Sequence, residues 1–298
     1  MSRGTILIIG REDDPCCKAV RGELDASGQA VLFLQEDAIL PGLRFVWEPG
    51  CPAPRGQVGQ SDRVISLSDV RGVLCRSFGV PVPLEEFYSP DGRYVTAEWN
   101  ALLMAWLSAL ECSVVNRLRP DLWYKIRLDP PDLAALMPGL PFRLPRNLVT
   151  TRSDMVQAFC ESSRGAVEYT ALTQSGRYPI RNEADQRKLA TLSDWLPLRL
   201  SERPEGVELD AFVVRDTVVV AGPDGQSPVR LPSSIEAACV QAGRKLGLLF
   251  YRVSLTDCAG EWYWRELDRM PQLYGCTTSV LERIAAALAG VLQGGSVP

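Results

Sequence analysis

The sequence predicts an α/β fold, in which an N-terminal lobe with an open parallel sheet precedes two α+β lobes. Strand-like apolar runs alternate with helical patterns early in the chain, whereas strands around short turns dominate its last part. The length of 298 residues also exceeds the usual size of one domain. We therefore expect three parts, at residues 1–117, 118–200 and 201–298.

The first elements follow a β-α-β order. Thr5–Ile9 is a continuous apolar run, as in strands buried on both faces, and the helical pattern after it stops at Gly28. A Pro- and Gly-rich stretch from Pro41 to Gly59 interrupts the alternation. The predicted elements are strands at 5–9, 30–34, 71–76 and 113–116, and helices at 15–27 and 94–110.

The later elements are marked by turns and caps. Arg215 and Asp216 separate two apolar strands in the manner of a tight hairpin, and Gly247 ends an amphipathic helix. Helices are predicted at 122–128, 131–137, 153–160, 234–246 and 278–292. Strands are predicted at 165–173, 207–214, 217–221, 248–255 and 261–267, whereas residues 147–151 only begin a new segment after the Pro-rich break.

Charge and hydropathy exclude several partners. A net charge of -4 provides no basic field for a phosphate backbone, so we expect no nucleic-acid partner. No segment reaches the roughly 20 apolar residues of a membrane helix, and the first apolar run is too short for a signal peptide. The expected location is therefore the cytoplasm.

The sequence contains no histidine. This excludes Ser-His-Asp and Cys-His catalysis and every metal site that needs imidazole. The 9 cysteines have no CxxC spacing, which favours a reducing compartment and core positions over a disulfide framework. Chemistry must therefore use carboxylates, Lys, Arg, thiols or a bound cofactor.

Three segments, at residues 140–159, 205–214 and 247–268, follow one another in an order and spacing that resemble ATP-grasp ligases. The resemblance is to the branch that modifies ribosomally made peptides, which includes graspetide (microviridin-type) and RimK-like ligases. It covers nearly the whole chain, although no single segment is as diagnostic as a complete P-loop. It implies that the two later lobes enclose ATP and Mg²⁺, and that an acylphosphate forms and is attacked by a nucleophile.

Four residues match positions that the resemblance assigns to the cofactors. Lys125 matches the first nucleotide-binding lysine, and Glu202 matches a hinge glutamate at the adenine or ribose. Glu266 and Asp268 match magnesium ligands, and their spacing places both on one face of a strand. The alternatives are a solvated lysine, a surface glutamate, and a carboxylate pair bound by Arg265 or Arg269.

Other positions depart from the family pattern. Glu168 lies on the strand where the family has its second lysine, Asp210 stands where an arginine is usual, and Ser254 replaces an aspartate ligand. A carboxylate near the phosphates would repel them. Arg177 or Arg181, in the segment that follows the strand, would be the alternative phosphate-binding cation.

The sequence leaves two hypotheses open and identifies no catalytic residue. The first is an ATP-dependent ligase that joins a carboxylate to an amine or hydroxyl of a peptide or amino acid. The second is a catalytically degenerate homologue that binds a peptide or a partner protein as a scaffold. An unrelated small-molecule binder would require the matching order of segments to be accidental. A homo-oligomer also stays open.

Overall fold

The computed structural model describes residues 4–36, 42–50, 55–76, 89–115, 117, 134–163, 166–170, 172, 177–222 and 230–294. It confirms the α/β class, with one parallel sheet and several antiparallel pairings. Contacts divide the chain into unit 1 (Met1–Arg127, Ala211–Arg252 and Asp268–Pro298) and unit 2 (Leu128–Asp210 and Val253–Leu267). Because these units interleave segments, chain order does not separate them, and the division at 117 and 200 stays a prediction.

The N-terminal elements of unit 1 include the predicted parallel sheet. Along the chain they are β1 (Thr5–Gly10), α1 (Pro15–Ala26), β2 (Val31–Gln35), β3 (Leu43–Glu48), β4 (Arg55–Gln60), β5 (Arg63–Ser66), a 3-10 turn (Leu67–Asp69), β6 (Val70–Cys75), α2 (Pro90–Ala109) and β7 (Ser113–Val115). The parallel sheet has the order β2-β1-β6-β7. All of β1 is buried, which explains its unbroken apolar run.

The sequence predicted that the stretch from Pro41 to Gly59 interrupts the regular elements. This prediction is wrong for the described residues of the stretch, most of which form strands. β3, β4 and β5 form a separate antiparallel sheet there, with β4 in the centre. Residues alternate along β3 between half-buried and exposed, and Phe45 packs edge-on against the buried Trp106. The Pro and Gly residues within and around these strands hid the strand pattern.

A buried ion pair holds the end of β6 against the start of α1. Asp14 caps α1 by accepting hydrogen bonds from the backbone N–H groups of Cys16 and Cys17. Its other carboxylate oxygen accepts from Arg76 Nη2 at 3.0 Å, and the same nitrogen donates to the carbonyl oxygen of Pro271 at 2.9 Å. Burial raises the pKa of the Cys16 thiol to about 11, so this cysteine is a structural group rather than a nucleophile.

Unit 2 contains an antiparallel sheet covered by two helices. Its elements are β8 (Asn147–Thr150), α3 (Ser153–Ser162), β9 (Ala166–Thr170), β10 (Arg177–Ile180), α4 (Glu183–Ser193) and β11 (Leu198–Arg203). The sheet order is β10-β9-β11-β8. One face contributes Val167, Leu198 and Leu200 to a core with Val156 and Phe159 of α3. The opposite face is therefore available for polar groups.

The remaining elements are β12 (Val207–Val214), β13 (Thr217–Ala221), α5 (Ser233–Leu246), β14 (Phe250–Cys258), β15 (Glu261–Asp268) and α6 (Thr278–Gln293). These strands have the order β13-β12-β14-β15, and the boundaries between the units fall within β12, β14 and β15. Gly247 ends α5 in the left-handed conformation (φ 64°), as predicted. Within the described residues, no helix is long and apolar enough to cross a membrane.

Candidate functional site

The candidate site lies in unit 2, on the sheet face opposite the apolar core. Glu168 of β9 is placed on this face by strand alternation, because its neighbour Val167 points into the core. In the sheet register Glu168 lies between Pro179 of β10 and Ser201 of β11. It is only 6% exposed, so its carboxylate requires a partner within the protein.

That partner is Arg265 of β15. Arg265 Nη2 lies 2.9 Å from both Glu168 oxygens. The side chains of Arg265 and Glu168 are 4% and 7% exposed. A buried, charge-assisted contact of this kind neutralises the carboxylate without any bound ligand. The residue that stands at the expected lysine position is thus part of an internal ion pair.

Arg177, the first residue of β10, connects this pair to a predicted metal ligand. Its Nη2 donates to Glu266 Oε2 at 2.7 Å, and its Nε lies 3.9 Å from Glu168. Burial, with the charge of the neighbouring Arg265, lowers the pKa of Arg177, while the two glutamates oppose this shift. Arg177 therefore binds carboxylates here, and Arg181 uses its backbone N–H to bond Asp185.

The ion pairs continue toward solvent through β12 and β11. Arg265 Nη1 lies 2.6 Å from Glu208, and Arg203 lies 2.8 Å from the same carboxylate oxygen. Burial raises the pKa of Glu208, but Arg265 and Arg203 lower it more, so the net direction is downward. We call the whole set the Arg–Glu network: Glu168, Arg177, Arg203, Glu208, Arg265 and Glu266. Its three positive and three negative charges cancel.

Asp210 and Ser254, the other two residues that depart from the family pattern, contact each other within the protein. Ser254 Oγ donates to Asp210 Oδ1 at 2.7 Å, so the serine at the ligand position and the carboxylate at the arginine position are direct partners. This bond connects β14 with β12 inside unit 2. A hydroxyl that donates to a carboxylate has its proton committed, and only its lone pairs remain for a cation.

Asp268, the second predicted magnesium ligand, belongs to unit 1. Its Oδ1 accepts from the backbone N–H of Met270 at 2.9 Å, and its Oδ2 lies 3.5 Å from Arg252. Both carboxylates contact arginines, as Asp268 does with Arg252 and Glu266 with Arg177. The alternative from the sequence named Arg265 or Arg269 instead.

Of the two predicted nucleotide-binding residues, the structure describes only Glu202. Glu202 is half-buried; its backbone N–H bonds the carbonyl oxygen of Arg146 at 2.9 Å, and its carboxylate lies 3.9 Å from the Arg146 guanidinium. Lys125 lies outside the described residues. The roles of Lys125, Glu202, Glu266 and Asp268 toward a nucleotide or a metal stay predictions.

The donor set does not fit Mg²⁺ with ATP as the resemblance implies it. Among the described residues, no group of three or more His, Cys, Asp or Glu side chains could hold a metal ion. Glu266 is bound by an arginine, and Glu168 lies at the position where the resemblance implies a phosphate-binding lysine. Arg177 already neutralises the Glu266 carboxylate through Oε2, which weakens its attraction for Mg²⁺, and a phosphate close to Glu168 would meet a carboxylate.

Sequence reasoning missed the contributions of Arg203 and Glu208 and the pairing of Arg265 with Glu168. The sequence did offer one signal. Carboxylates stand where the family pattern has positively charged residues, and several arginines on other strands could neutralise them. Only 4 lysines occur in the chain, at 18, 125, 188 and 245, so an arginine partner was the expected one. Which arginine meets which carboxylate depends on the strand order.

Comparison with known proteins identifies the fold. Neither a family model nor a curated protein matches the sequence. Solved structures match over almost the full length. Macrocyclase MdnC from Microcystis aeruginosa, bound with precursor peptide MdnA, is 17% identical with a TM-score of 0.80, covering 97% of this chain and 99% of its own.

Two further structures agree. The Chryseobacterium gregarium RiPP-associated ATP-grasp ligase, in complex with ADP and a leader and core peptide, is 17% identical with a TM-score of 0.77, covering 99% of this chain and 98% of its own. PsnB, complexed with minimal precursor, Mg and ADP, is 18% identical with a TM-score of 0.75, covering 97% of this chain and 98% of its own. The chain therefore has the fold of ATP-grasp peptide ligases, and the predicted ATP-grasp resemblance is confirmed at the level of fold.

Proposed function

We propose that this chain is a peptide-binding or partner-binding protein built on the ATP-grasp fold, in which phosphoryl chemistry has been replaced by an internal ion-pair network. The observation that carries the proposal concerns Glu168, which lies where the resemblance implies a lysine. Both oxygens of its carboxylate contact Arg265. Positioning and charge neutralisation dominate phosphoryl transfer, so a site that neutralises itself lacks the charge to perform it.

Magnitudes favour this choice over a working nucleotide site. Breaking a buried ion pair costs about 3–5 kcal/mol, because one charge is left without compensation. Micromolar binding of a ligand is worth about 8 kcal/mol. A nucleotide that had to open the pairs of Glu168 or Glu266 would therefore bind about 10² to 10³ times more weakly, in the millimolar range.

The peptide part rests on the structural comparisons. MdnC, the Chryseobacterium ligase and PsnB each have a peptide or precursor in their complexes. We infer that this chain retains a peptide-binding role of that kind. Cytoplasmic location and the lack of a nucleic-acid partner belong to the same proposal.

A second candidate is an active ATP-dependent peptide ligase. It is favoured by the retained carboxylates Glu266 and Asp268 and by the nucleotide complexes of the similar proteins. In this case ATP and Mg²⁺ would open the Arg–Glu network on binding. The two candidates differ in one measurable quantity, the affinity for Mg·ATP.

Calorimetric titration with Mg·ATP tests the choice, using the wild type, Glu168→Lys and the matched control Glu168→Gln. For the proposed function we expect no binding by the wild type or Glu168→Gln below about 1 mM. Glu168→Lys places a cation on the face and is expected to bind more tightly than Glu168→Gln. Micromolar binding by the wild type that weakens in Glu266→Gln would reject the proposal and support the ligase.

The peptide role has its own test, a selection of displayed random peptides on the immobilised protein. Enriched sequences that bind the wild type with micromolar affinity are expected. If no sequence is enriched over an unrelated immobilised protein, the peptide-binding role is wrong, whatever the result with nucleotide.

A further inference from the structure

Unit 2 contains one whole sheet and part of a second, and a short connection joins them. The β9 sheet has the order β10-β9-β11-β8. The β14 sheet has the order β13-β12-β14-β15, and its residues 207–210, 253–258 and 261–267 belong to unit 2. Residues 204–206 connect β11 to β12. A Cβ atom at Gly206 would clash with the carbonyl oxygen of Asp257, so this connection packs directly on β14.

Ion pairs of the Arg–Glu network cross from one sheet to the other at three places. Strands β9, β10 and β11 each contribute one residue, and β12 and β15 contribute the partners: Glu168–Arg265, Arg177–Glu266 and Arg203–Glu208. Arg265 and Glu266 are consecutive residues, and consecutive side chains of a strand point to opposite faces. Ion pairs therefore hold β15 from both of its faces.

Backbone hydrogen bonds attach β15 to the segment that leads into β8. The N–H of Arg143 donates to the carbonyl oxygen of Trp262 at 2.8 Å, and the N–H of Trp264 donates to the carbonyl oxygen of Arg143 at 2.8 Å. Phe142 packs edge-on against Trp264, with ring centroids 5.0 Å apart. Because β8 belongs to the β9 sheet, these bonds break when the two sheets separate. The Arg143 and Trp264 amides therefore report on that separation.

The crossing charges are largely enclosed, which determines what a substitution does. The exposed fractions are 7% and 4% for the side chains of Glu168 and Arg265, and 13% and 24% for those of Glu266 and Arg177. Removing one partner leaves a buried charge with less compensation while the sheets are joined. Separation of the sheets would hydrate that charge. A substitution in either pair is therefore expected to favour separation.

We propose that the Arg–Glu network is a clamp that keeps the two sheets of unit 2 joined without a bound ligand. The resemblance implies ATP and Mg²⁺ between the two later lobes, whereas here side chains of the chain itself cross between the sheets. The clamp gives the protein a joined state that needs no nucleotide. That this state is the one that binds a peptide rests on the proposed function.

Amide hydrogen exchange of the full chain tests the clamp, measured by NMR in the absence of nucleotide and peptide. In the wild type, the Arg143 and Trp264 amides are expected to exchange faster than the Val156 amide of α3, which bonds the carbonyl oxygen of Arg152. Glu168→Gln and Arg177→Gln lie on neither reporting segment. Each is expected to speed exchange of the two reporting amides at least about tenfold.

Urea separates the clamp from a purely structural role. Separation of two sheets exposes less surface than global unfolding, so exchange of the reporting amides should depend only weakly on urea. The control Glu205→Gln removes an exposed carboxylate from the connection itself and should leave their exchange unchanged. Reporting amides that ignore both Glu168→Gln and Arg177→Gln would overturn the clamp. Reporting amides that exchange at the rate and with the urea dependence of Val156 would overturn it equally.

The joined state also predicts how a bound peptide responds to nucleotide. A peptide selected on the wild type should bind with the same Kd, within about twofold, with and without about 1 mM Mg·ATP. A Kd at least about tenfold lower with Mg·ATP would contradict a joined state that needs no nucleotide. If no peptide is selected, the proposed function fails, whereas hydrogen exchange still decides whether the clamp exists.

Discussion

Two buried arginines, Arg76 in unit 1 and Arg265 in unit 2, are compensated in different ways. The Arg76 side chain is 1% exposed and has, among the described residues, one acidic partner, Asp14, together with a carbonyl oxygen. The Arg265 side chain is 4% exposed and has two acidic partners, Glu168 and Glu208. The first arrangement joins chain segments, whereas the second neutralises a polar sheet face. We therefore expect a single substitution to cost more where the buried arginine has fewer acidic partners, because its charge is then left without compensation.

The largest effect is expected from Asp14→Ala. The substitution leaves the buried Arg76 charge without an acid and also removes the α1 cap, which together cost about 4 kcal/mol or more. Urea denaturation measures the change in the free energy of unfolding. Asp14→Asn keeps the capping oxygen and loses only the charge, so it should cost less than Asp14→Ala.

The exposed Asp25 on the same helix provides the control for this experiment, and Asp25→Ala should change stability by no more than about 0.5 kcal/mol. If Asp14→Ala costs no more than Asp25→Ala, the Asp14–Arg76 pair is not a determinant of the stability of unit 1.

A smaller effect is expected from Glu168→Leu, because Arg265 keeps its contact with Glu208. We expect a loss of about 2 kcal/mol. Replacing both partners in Glu168→Leu/Arg265→Met removes the uncompensated charge, so the double variant should lose less than the sum of the single variants. Denaturation of all four proteins measures the coupling energy, expected near 2 kcal/mol. Additive losses would show that the two side chains act independently.

The smallest effect is expected at the exposed end of the network, for Glu208→Gln. The Glu208 side chain is 39% exposed, so solvent screening limits the loss to about 1 kcal/mol or less. Because folding lowers the pKa of Glu208, its contribution is present at neutral pH, above the unfolded pKa of about 4.3. It is lost as pH falls through the lower folded-state pKa.

The stability difference between the wild type and Glu208→Gln should accordingly shrink between about pH 5 and pH 3. Denaturation midpoints at several pH values measure it. A difference that stays constant down to about pH 3 would mean that Glu208 stabilises the protein through packing rather than charge.

Elements with strong local signals were predicted from the sequence. β1 is a continuous apolar run, and α5 ends at a glycine. α6 has apolar residues along one face, and these residues are buried in the core. β10, α4 and β11 were not predicted, because this part of the chain is rich in charged residues and its apolar positions are few. β3 and β4 were missed because flanking Pro and Gly residues suggested a loop.

The candidate site was predicted only in part. Sequence comparison with the family pattern identified Glu168, Asp210 and Ser254 as departures, and all three form internal contacts. Their partners were not predictable, since Arg265 follows Glu168 by 97 positions and Arg177 reaches Glu266 across 89. Pairing over such separations depends on which strands become neighbours.

The sequence by itself determined the α/β class, the exclusion of histidine chemistry and the positions at which charge departs from the ATP-grasp pattern. The first two follow from composition and local periodicity, and the third follows from the resemblance to the family; none of them needs knowledge of distant contacts. The tertiary structure alone decided that Glu168 is neutralised by Arg265, that Asp210 accepts a hydrogen bond from Ser254, and that β3 lies at a sheet edge among the described strands. The physical reason is that a charge's environment and a strand's free edge are set by its neighbours in space, which the order of strands in a sheet establishes only after folding.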